Sequence, residues 1–352
     1  VFADYFNDDI IIENRAMGGR SSKSYDNDGR LDRILTEMHP GDYVFIQFGI
    51  NDGAENKPER YISVEDYKKL ITDKYIGEVE KRGGTPVLMT ANAAAWWDEE
   101  NNCFMESRKD YADPTREIAE ETGCKFIDEN KIVTDAWNSM SKNRVLSGYF
   151  ICEPLESKAY PSGTNDTTHM KAKGAKRVAK LIADAIPENV PELAKYLKGD
   201  ETFTDIQGHW AEDVIKTLAE NDKVSGVGDG KFNPDGTVTR AEFLKMAMDS
   251  LGIVGHAYRD GECLDATNDD WYCYYLQGAL DKDIIPKEMI ENCNVTKVTK
   301  TLAEATDDKE AVTTDVNVYT GKFDGDKPIT REEMAAIAVR CKNYKMRRLT
   351  DW

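Results

Sequence analysis

The stretch YVFIQFGINDG, Tyr43 to Gly53, starts as an unbroken apolar run and ends in a glycine, an amide and a carboxylate. A run apolar on both faces fits a strand buried inside a parallel sheet, with helices above and below. Its neighbours agree. Upstream, Asp9–Met17 reads as a strand and Gly29–Met38 has helical spacing. Downstream, Ser63–Gly83 is an amphipathic helix with a Ser63 start, acid in its first turn and Gly83–Gly84 at its end. Thr85–Asn92 is a strand, Asp113–Gly123 a short helix with Pro114 near its first position, Cys124–Asn130 a strand and Lys171–Ile186 a closing helix. This alternation predicts an α/β unit with a parallel sheet over residues 1–198. In such sheets ligands sit beyond the carboxyl ends of the strands, which is where Gly49, Asn51 and Asp52 fall.

The bulk properties narrow the function. The chain has 352 residues, 40% of them apolar, which allows two or three domains. With 46 basic and 65 acidic side chains the net charge is -19. That excludes a general nucleic-acid binder, which needs a basic face, and loose attraction to anionic lipid. No run approaches the ~18 apolar residues of a membrane span. The seven cysteines include no C-x-x-C pair, which argues against zinc and thioredoxin-like chemistry, and most read as free thiols. One disulfide in the C-terminal half stays open. The chain opens at Val1 without methionine or signal peptide and closes on RRLTDW, so it reads as cut at both ends.

Two further stretches point to the same edge. In NRAMGGRSSKSY (Asn14–Tyr25), Gly18–Gly19 lets the backbone turn tightly after a strand and presents a backbone N–H. In SGTNDTTHM (Ser162–Met170), just before the closing helix, Asp166 and His169 form an Asp-x-x-His pair. Of the four histidines only His169 has an aspartate three residues earlier. Trp96 and Trp97 follow a strand end and read either as a platform for a sugar ring or as inward-packing aromatics; the polar, loop-like Asn101–Tyr111 reads as a substrate-facing lid.

These three blocks, in this order, resemble the SGNH (GDSL-type) hydrolases, and more closely the rhamnogalacturonan acetylesterase group of carbohydrate esterases, over about residues 1–188. The resemblance implies a three-layer flavodoxin-like fold and a Ser-His-Asp triad working without metal or cofactor. His169 would be the general base and Asp166 its orienting carboxylate. The Gly19 amide and the Asn51 side-chain amide would be oxyanion donors. The family's nucleophile belongs to a Gly-Asp-Ser block at the end of the first strand, expected upstream of VFADYFNDD. By that expectation residues 1–352 lack the first strand and its serine and are inactive by themselves; Ser21, Ser22 and Ser24 belong to the second block and are poor candidates to replace it.

From Lys198 the pattern changes. Gly199–Asp205 reads as a linker. Residues 1–198 hold 27 basic and 35 acidic side chains, net -8, and the remainder 19 and 30, net -11, so both parts are acidic. Two segments then echo each other: Phe232 to Thr239 has the spacing of Phe323 to Thr330, followed by Arg240 and Arg331 at matching places, with Trp210 and Trp271 upstream. The second copy carries about 30 extra residues, largely Glu291–Thr320. In TRAE and TREE the Thr reads as an N-cap with its acid three residues on. An EF-hand reading of KFNPDGTVTRAE fails, because Lys231 would occupy the first ligand position.

The copies resemble S-layer homology (SLH) repeats, a mainly helical class that anchors exported proteins to bacterial cell-wall polymers. The expected domains are residues 1–198, then repeats at 199–257 and 258–352, and LTDW reads as the opening of a third. The resemblance implies an anionic secondary cell-wall polymer as ligand, met by Arg240, Arg331, Trp210 and Trp271. Together the two resemblances imply a secreted, wall-anchored O-acetylesterase acting on acetylated plant polysaccharide such as rhamnogalacturonan or xylan. The alternative is a non-catalytic wall-binding surface protein.

Overall fold

The Tyr43 run forms the first strand of the sheet, but at its edge among the described strands and only partly buried, rather than buried within it. The computed structural model describes residues 1–199, 203–220, 224–257, 263–267, 269–303 and 311–350. The expected linker's residues 200–202, the 258–260 start of the second copy, residues 304–310 of its extra stretch and the terminal 351–352 lie outside these. The described residues cluster into two compact units, Val1–Val145 with Thr167–Lys198, and Leu146–Asp166 with Gly199–Trp352. No helix among the described residues is long and apolar enough to cross a membrane.

In unit 1, β1 (Tyr43–Gln47) and β2 (Thr85–Met89) pair in parallel with Phe45 opposite Val87. After the short strands β3 (Trp96–Asp98) and β4 (Cys103–Met105), β5 (Lys125–Ile127) joins the other side of β2, also in parallel. Alternate residues face opposite ways. Val44, Ile46, Leu88 and Phe126 pack with Tyr67, Ile71 and Ile118 from the helices on one side. Phe45 faces the other side, where its ring meets Phe2 at 5.7 Å. Helix Ala172–Asn189 packs against β5, burying Val178, Ile182 and Ile186. The unit is therefore a three-layer α/β fold around a parallel sheet.

The helix expected from Ser63 begins there: the Ser63 hydroxyl accepts the Asp66 N–H at 3.1 Å. It runs through Val64–Leu70, a π turn at Ile71–Ile76 and Gly77–Lys81. Three expectations need correction. Asp9–Met17 is not a strand: it joins no ladder among the described residues and is largely exposed, with Ile11 87% accessible. Apolar content does not make a strand without an edge to pair with. The helix expected from Asp113 starts earlier, at Lys109, so Pro114 sits within it. The loop-like Asn101–Tyr111 is half of an antiparallel hairpin, Trp97 opposite Phe104, followed by the start of that helix. All seven cysteines are free thiols.

Unit 2 holds helices Glu212–Glu220, Arg240–Leu251, Cys273–Asp281 and Arg331–Thr350. The extra stretch of the second copy contributes a long antiparallel hairpin, β6 (Glu291–Ala303) with β7 (Val312–Lys322), not assigned from sequence. The two copies repeat in detail. The Asp205 carboxylate accepts the N–H groups of Phe232 and Asn233 at 2.9 and 2.7 Å. Asp265 accepts those of Phe323 and Asp324 at 2.7 and 2.9 Å. Thr239 with Glu242 and Thr330 with Glu333 form reciprocal caps. Leu146–Asp166 packs in this unit, with the Leu155 carbonyl accepting the Ala257 N–H at 2.8 Å.

Candidate active site

At the carboxyl end of β1 the chain turns through Gly49, whose φ is +113°. An added Cβ would lie 3.0 Å from the Tyr111 Cβ and 3.1 Å from that of Ala91, so only glycine fits there. Asn51 and Asp52 then part ways. Asp52 is fully buried, and its carboxylate accepts the Ser22 N–H at 2.8 Å, the Ser22 hydroxyl at 2.5 Å and the Gly49 N–H at 2.9 Å. Burial pushes its pKa upward and these donors hold it back. Asp52 is thus an internal brace that joins the Gly18–Tyr25 stretch to the β1 turn, rather than a crevice group. Ser21 and Ser24 are buried in a reciprocal cap and Ser22 is tied to Asp52, so none of the three is a free hydroxyl at the edge.

That brace sets the Asn51 amide against the other turn. Its Nδ2 donates to the Arg20 carbonyl at 3.1 Å, leaving the second N–H of the group. Gly19, at φ +71°, precedes Arg20, and its N–H has no hydrogen-bond partner among the described residues. The two expected oxyanion donors therefore stand together. The third block is reached through the extension of β2: the buried Ala95 donates its N–H to the Thr167 carbonyl at 2.8 Å, two residues before His169. His169 is exposed and Asp166 half-buried, with the Asp166 N–H on the Thr164 hydroxyl at 3.1 Å. Asp166 ends the segment that packs with unit 2, whereas His169 belongs to the segment that packs with unit 1.

Around this edge lie groups that sequence reading passed over. Arg108 donates from Nη1 to the Ile50 carbonyl at 3.4 Å, and its guanidinium carbon stands 5.6 Å from the centre of the Trp96 ring. The Arg60 guanidinium would sit 3.6 Å from a Cβ on Gly19. Trp96 is 39% exposed, as a platform requires, whereas Trp97 is tied down: its ring meets Phe104 edge-on at 4.8 Å and its Nε1 donates to Glu99 at 3.0 Å.

In unit 2 the four expected polymer-binding residues differ. Trp210 and Trp271 are exposed, at 86% and 53%, and Arg331 is exposed. Arg240 is buried; it donates to the Phe323 carbonyl at 2.6 Å and the Met289 carbonyl at 3.4 Å and pairs with Glu333. Its Nη atoms are taken up inside the unit, while its buried Nε has no partner; as a surface ligand group it is misplaced, and it braces the first copy against the second.

Comparison with known proteins agrees with this architecture. The GDSL-like lipase/acylhydrolase family profile matches residues 1–177 and the S-layer homology domain profile residues 202–244. The chain belongs to the GDSL-like lipase/acylhydrolase family and carries an S-layer homology domain. The probable rhamnogalacturonan acetylesterase YesY of Bacillus subtilis (strain 168) is 35% identical over 179 residues, 51% of this chain and 77% of the relative. The rhamnogalacturonan acetylesterase RhgT of the same organism is 31% identical over 191 residues, 53% of this chain and 79% of the relative. Exoglucanase XynX of Acetivibrio thermocellus is 41% identical over 104 residues, 29% of this chain and 10% of the relative. The crystal structure of YxiM from Bacillus subtilis aligns with a TM-score of 0.43 and 26% identity, covering 55% of this chain and 48% of that one.

Proposed function

We propose that the protein is a carbohydrate O-acetylesterase held at the cell surface by its SLH repeats, and that it deacetylates a plant polysaccharide such as rhamnogalacturonan or xylan. The observation that supports this most is the hydrogen bond of the Asn51 amide to the Arg20 carbonyl, which ties the β1 turn to the Gly19 turn. Ester cleavage builds negative charge on the carbonyl oxygen, and each preorganised donor there is worth about 10²–10³ in rate. On this reading His169 takes the proton of a serine hydroxyl as its oxygen attacks the acetyl carbon, then returns it to the departing sugar oxygen. Asp166 holds the imidazole's tautomer and stabilises its cation. Water, activated by the same imidazole, releases acetate from the acetyl-enzyme.

The nucleophile in this proposal is the serine of a Gly-Asp-Ser block preceding Val1. Residues 1–352 alone are then expected to release no acetate, and the protein carrying that block to hydrolyse 4-nitrophenyl acetate and acetylated pectin. Asn51→Ala should lower kcat about 10²-fold or more. Undiminished turnover in that variant removes the oxyanion role. For the anchor, with repeats at 199–257 and 258–352, the polymer-facing groups are Arg331, Trp210 and Trp271, and Arg240 acts by bracing. Sedimentation with purified cell wall tests this: Arg331→Ala combined with Trp271→Ala should weaken binding, and equal binding rejects the assignment.

A further inference from the structure

The loop that follows the β1 turn carries an arginine on a main chain fixed from two directions. Residues 53–62 leave the sheet edge at Asp52 and return to it: the Ile62 N–H donates to the Asp52 carbonyl at 3.1 Å, and the buried Tyr111 hydroxyl donates to the same carbonyl at 3.2 Å. On the other side the loop is held by Lys23, from the short helix Ser22–Asn27 that follows the Gly18–Gly19 turn. Its ammonium donates to the Pro58 and Tyr61 carbonyls at 3.1 and 3.0 Å. Between these ties the Arg60 N–H closes a local turn on the Lys57 carbonyl at 2.8 Å, and Arg60 is half-buried. A side chain carried on a main chain held this way is placed before any ligand arrives.

The Arg60 guanidinium lies against Gly19. A Cβ on Gly19 would meet Arg60 Nη2 at 3.6 Å and both Cζ and Nη1 at 3.8 Å. These near-equal distances put the charged fork, rather than the aliphatic stem, over the turn. Nη1 and Nη2 make no hydrogen bond among the described residues; the one carboxylate near the group is Glu59, 3.6 Å from Nε and 65% exposed. An exposed pair at that distance neutralises little of the charge. The guanidinium of Arg20, next to Gly19 in the chain, is already engaged, its Nε donating to Asp28 at 2.6 Å. Arg60 is therefore the cation left over at the turn whose N–H is proposed to meet the oxyanion. Residues 1–198 carry a net charge of -8, so the domain's overall field works against an anion and a local cation has to offset it. A positive charge fixed beside the point where negative charge develops needs no reorganisation during the reaction.

We propose that Arg60 is a third electrostatic element of this edge, its guanidinium stabilising the oxyanion that forms on the acetyl carbonyl beside the Gly19 N–H. The inference rests on the acetylesterase reading and deepens it. No proton and no covalent bond passes through Arg60. As the serine oxygen bonds to the acetyl carbon, the carbonyl π pair moves onto oxygen; the cation faces that charge until the pair returns and the bond to the sugar oxygen breaks. The test is hydrolysis of 4-nitrophenyl acetate by the protein carrying the Gly-Asp-Ser block. Arg60→Gln should lower kcat about tenfold or more with KM little changed, because the charge it meets exists only in the transition state. Arg60→Lys, which keeps the charge, should retain a large part of the rate. Phenylboronic acid, which forms a tetrahedral anion on a serine, should inhibit Arg60→Gln about tenfold less tightly than the parent. Glu59→Gln removes the opposing carboxylate from an exposed position and should keep or raise kcat, so the proposal stays exposed to refutation even where an Arg60 variant folds poorly. Undiminished kcat in Arg60→Gln, equal losses in the Gln and Lys variants, or a fall in kcat in Glu59→Gln overturns it. Turnover by the parent with any of those results rejects the role of Arg60 alone; no turnover by the parent rejects the esterase reading and this proposal with it.

Discussion

Arg108 in unit 1 and Arg240 in unit 2 are both arginines next to a helix start, and they have opposite fates. Arg240 follows a threonine N-cap, is buried, and meets two carbonyls and the Glu333 carboxylate. Arg108 stands in place of a cap, is half-buried, and meets one carbonyl at 3.4 Å and an exposed indole. The residue inside a repeated motif is the structural one; the residue in no motif carries unused donors to the edge where chemistry is proposed. In both residues the buried Nε has no hydrogen-bond partner; what sets Arg240 apart is the Glu333 carboxylate and the two carbonyls that its Nη atoms meet.

The largest effect expected from this contrast is in unit 2. Arg240→Ala leaves the partly buried Glu333 carboxylate and two carbonyls unpaired and should cost about 3 kcal/mol. Arg331→Ala, at the matching but exposed place, should cost less than about 0.5 kcal/mol. Urea unfolding of each variant checks the difference, and similar losses would erase the distinction between the copies. Next comes Asp52. Asp52→Ala strands the N–H groups of Ser22 and Gly49 and the Ser22 hydroxyl, a loss of about 3 kcal/mol in unit 1 by the same measurement.

Glu129 sharpens the contrast through pH. It is buried beside Gln47, and burial, partly offset by the Gln47 hydrogen bond, pushes its pKa from 4.5 up to about 7. Between those values the unfolded chain has lost this proton and the folded one has not, so stability falls as pH rises through the window and is level again above about 7. The total is on the order of 3 kcal/mol. Glu129→Gln should flatten that slope and melt higher than the parent at pH 8; an unchanged difference between the two across pH 4.5–7 would show that Glu129 does not titrate there. The smallest effect tests Arg108. Arg108→Gly removes the left-handed strain of its φ of +56° and the cation at the helix start, so stability should hold or rise by less than about 1 kcal/mol, read as an equal or higher melting temperature. A clear fall would make Arg108 a brace like Arg240.

How much was legible follows from where each signal resides. The β1 strand showed in Val44, Phe45 and Ile46, but it stands at the edge of the three described strands, with only Ile46 fully buried and Gln47 exposed, so the expected burial on both faces did not follow. The Ser63, Thr239 and Thr330 caps are local chemistry, and all three form. Asn51 lies where β1 turns, and although no strand precedes Gly19, the Asn51–Arg20 hydrogen bond joins the two turns. Asp9–Met17 failed because pairing is not a property of one segment. The β6–β7 hairpin had a signal, the β-branched residues of Val295–Thr301 and Val312–Val318, which was overlooked. Asp52 looks like Asn51 in the sequence; only the burial of Ser22 beside it sends the carboxylate inward. Arg108 belongs to no motif and has no local signature.

The central claim is that His169 works at the edge formed by Gly19 and Asn51. The most direct test is kcat/KM for 4-nitrophenyl acetate in the protein carrying the Gly-Asp-Ser block, with and without His169→Ala. Loss of the general base should lower it about 10³-fold or more with folding intact. A His169→Ala protein that hydrolyses the ester at the parent rate would contradict the account.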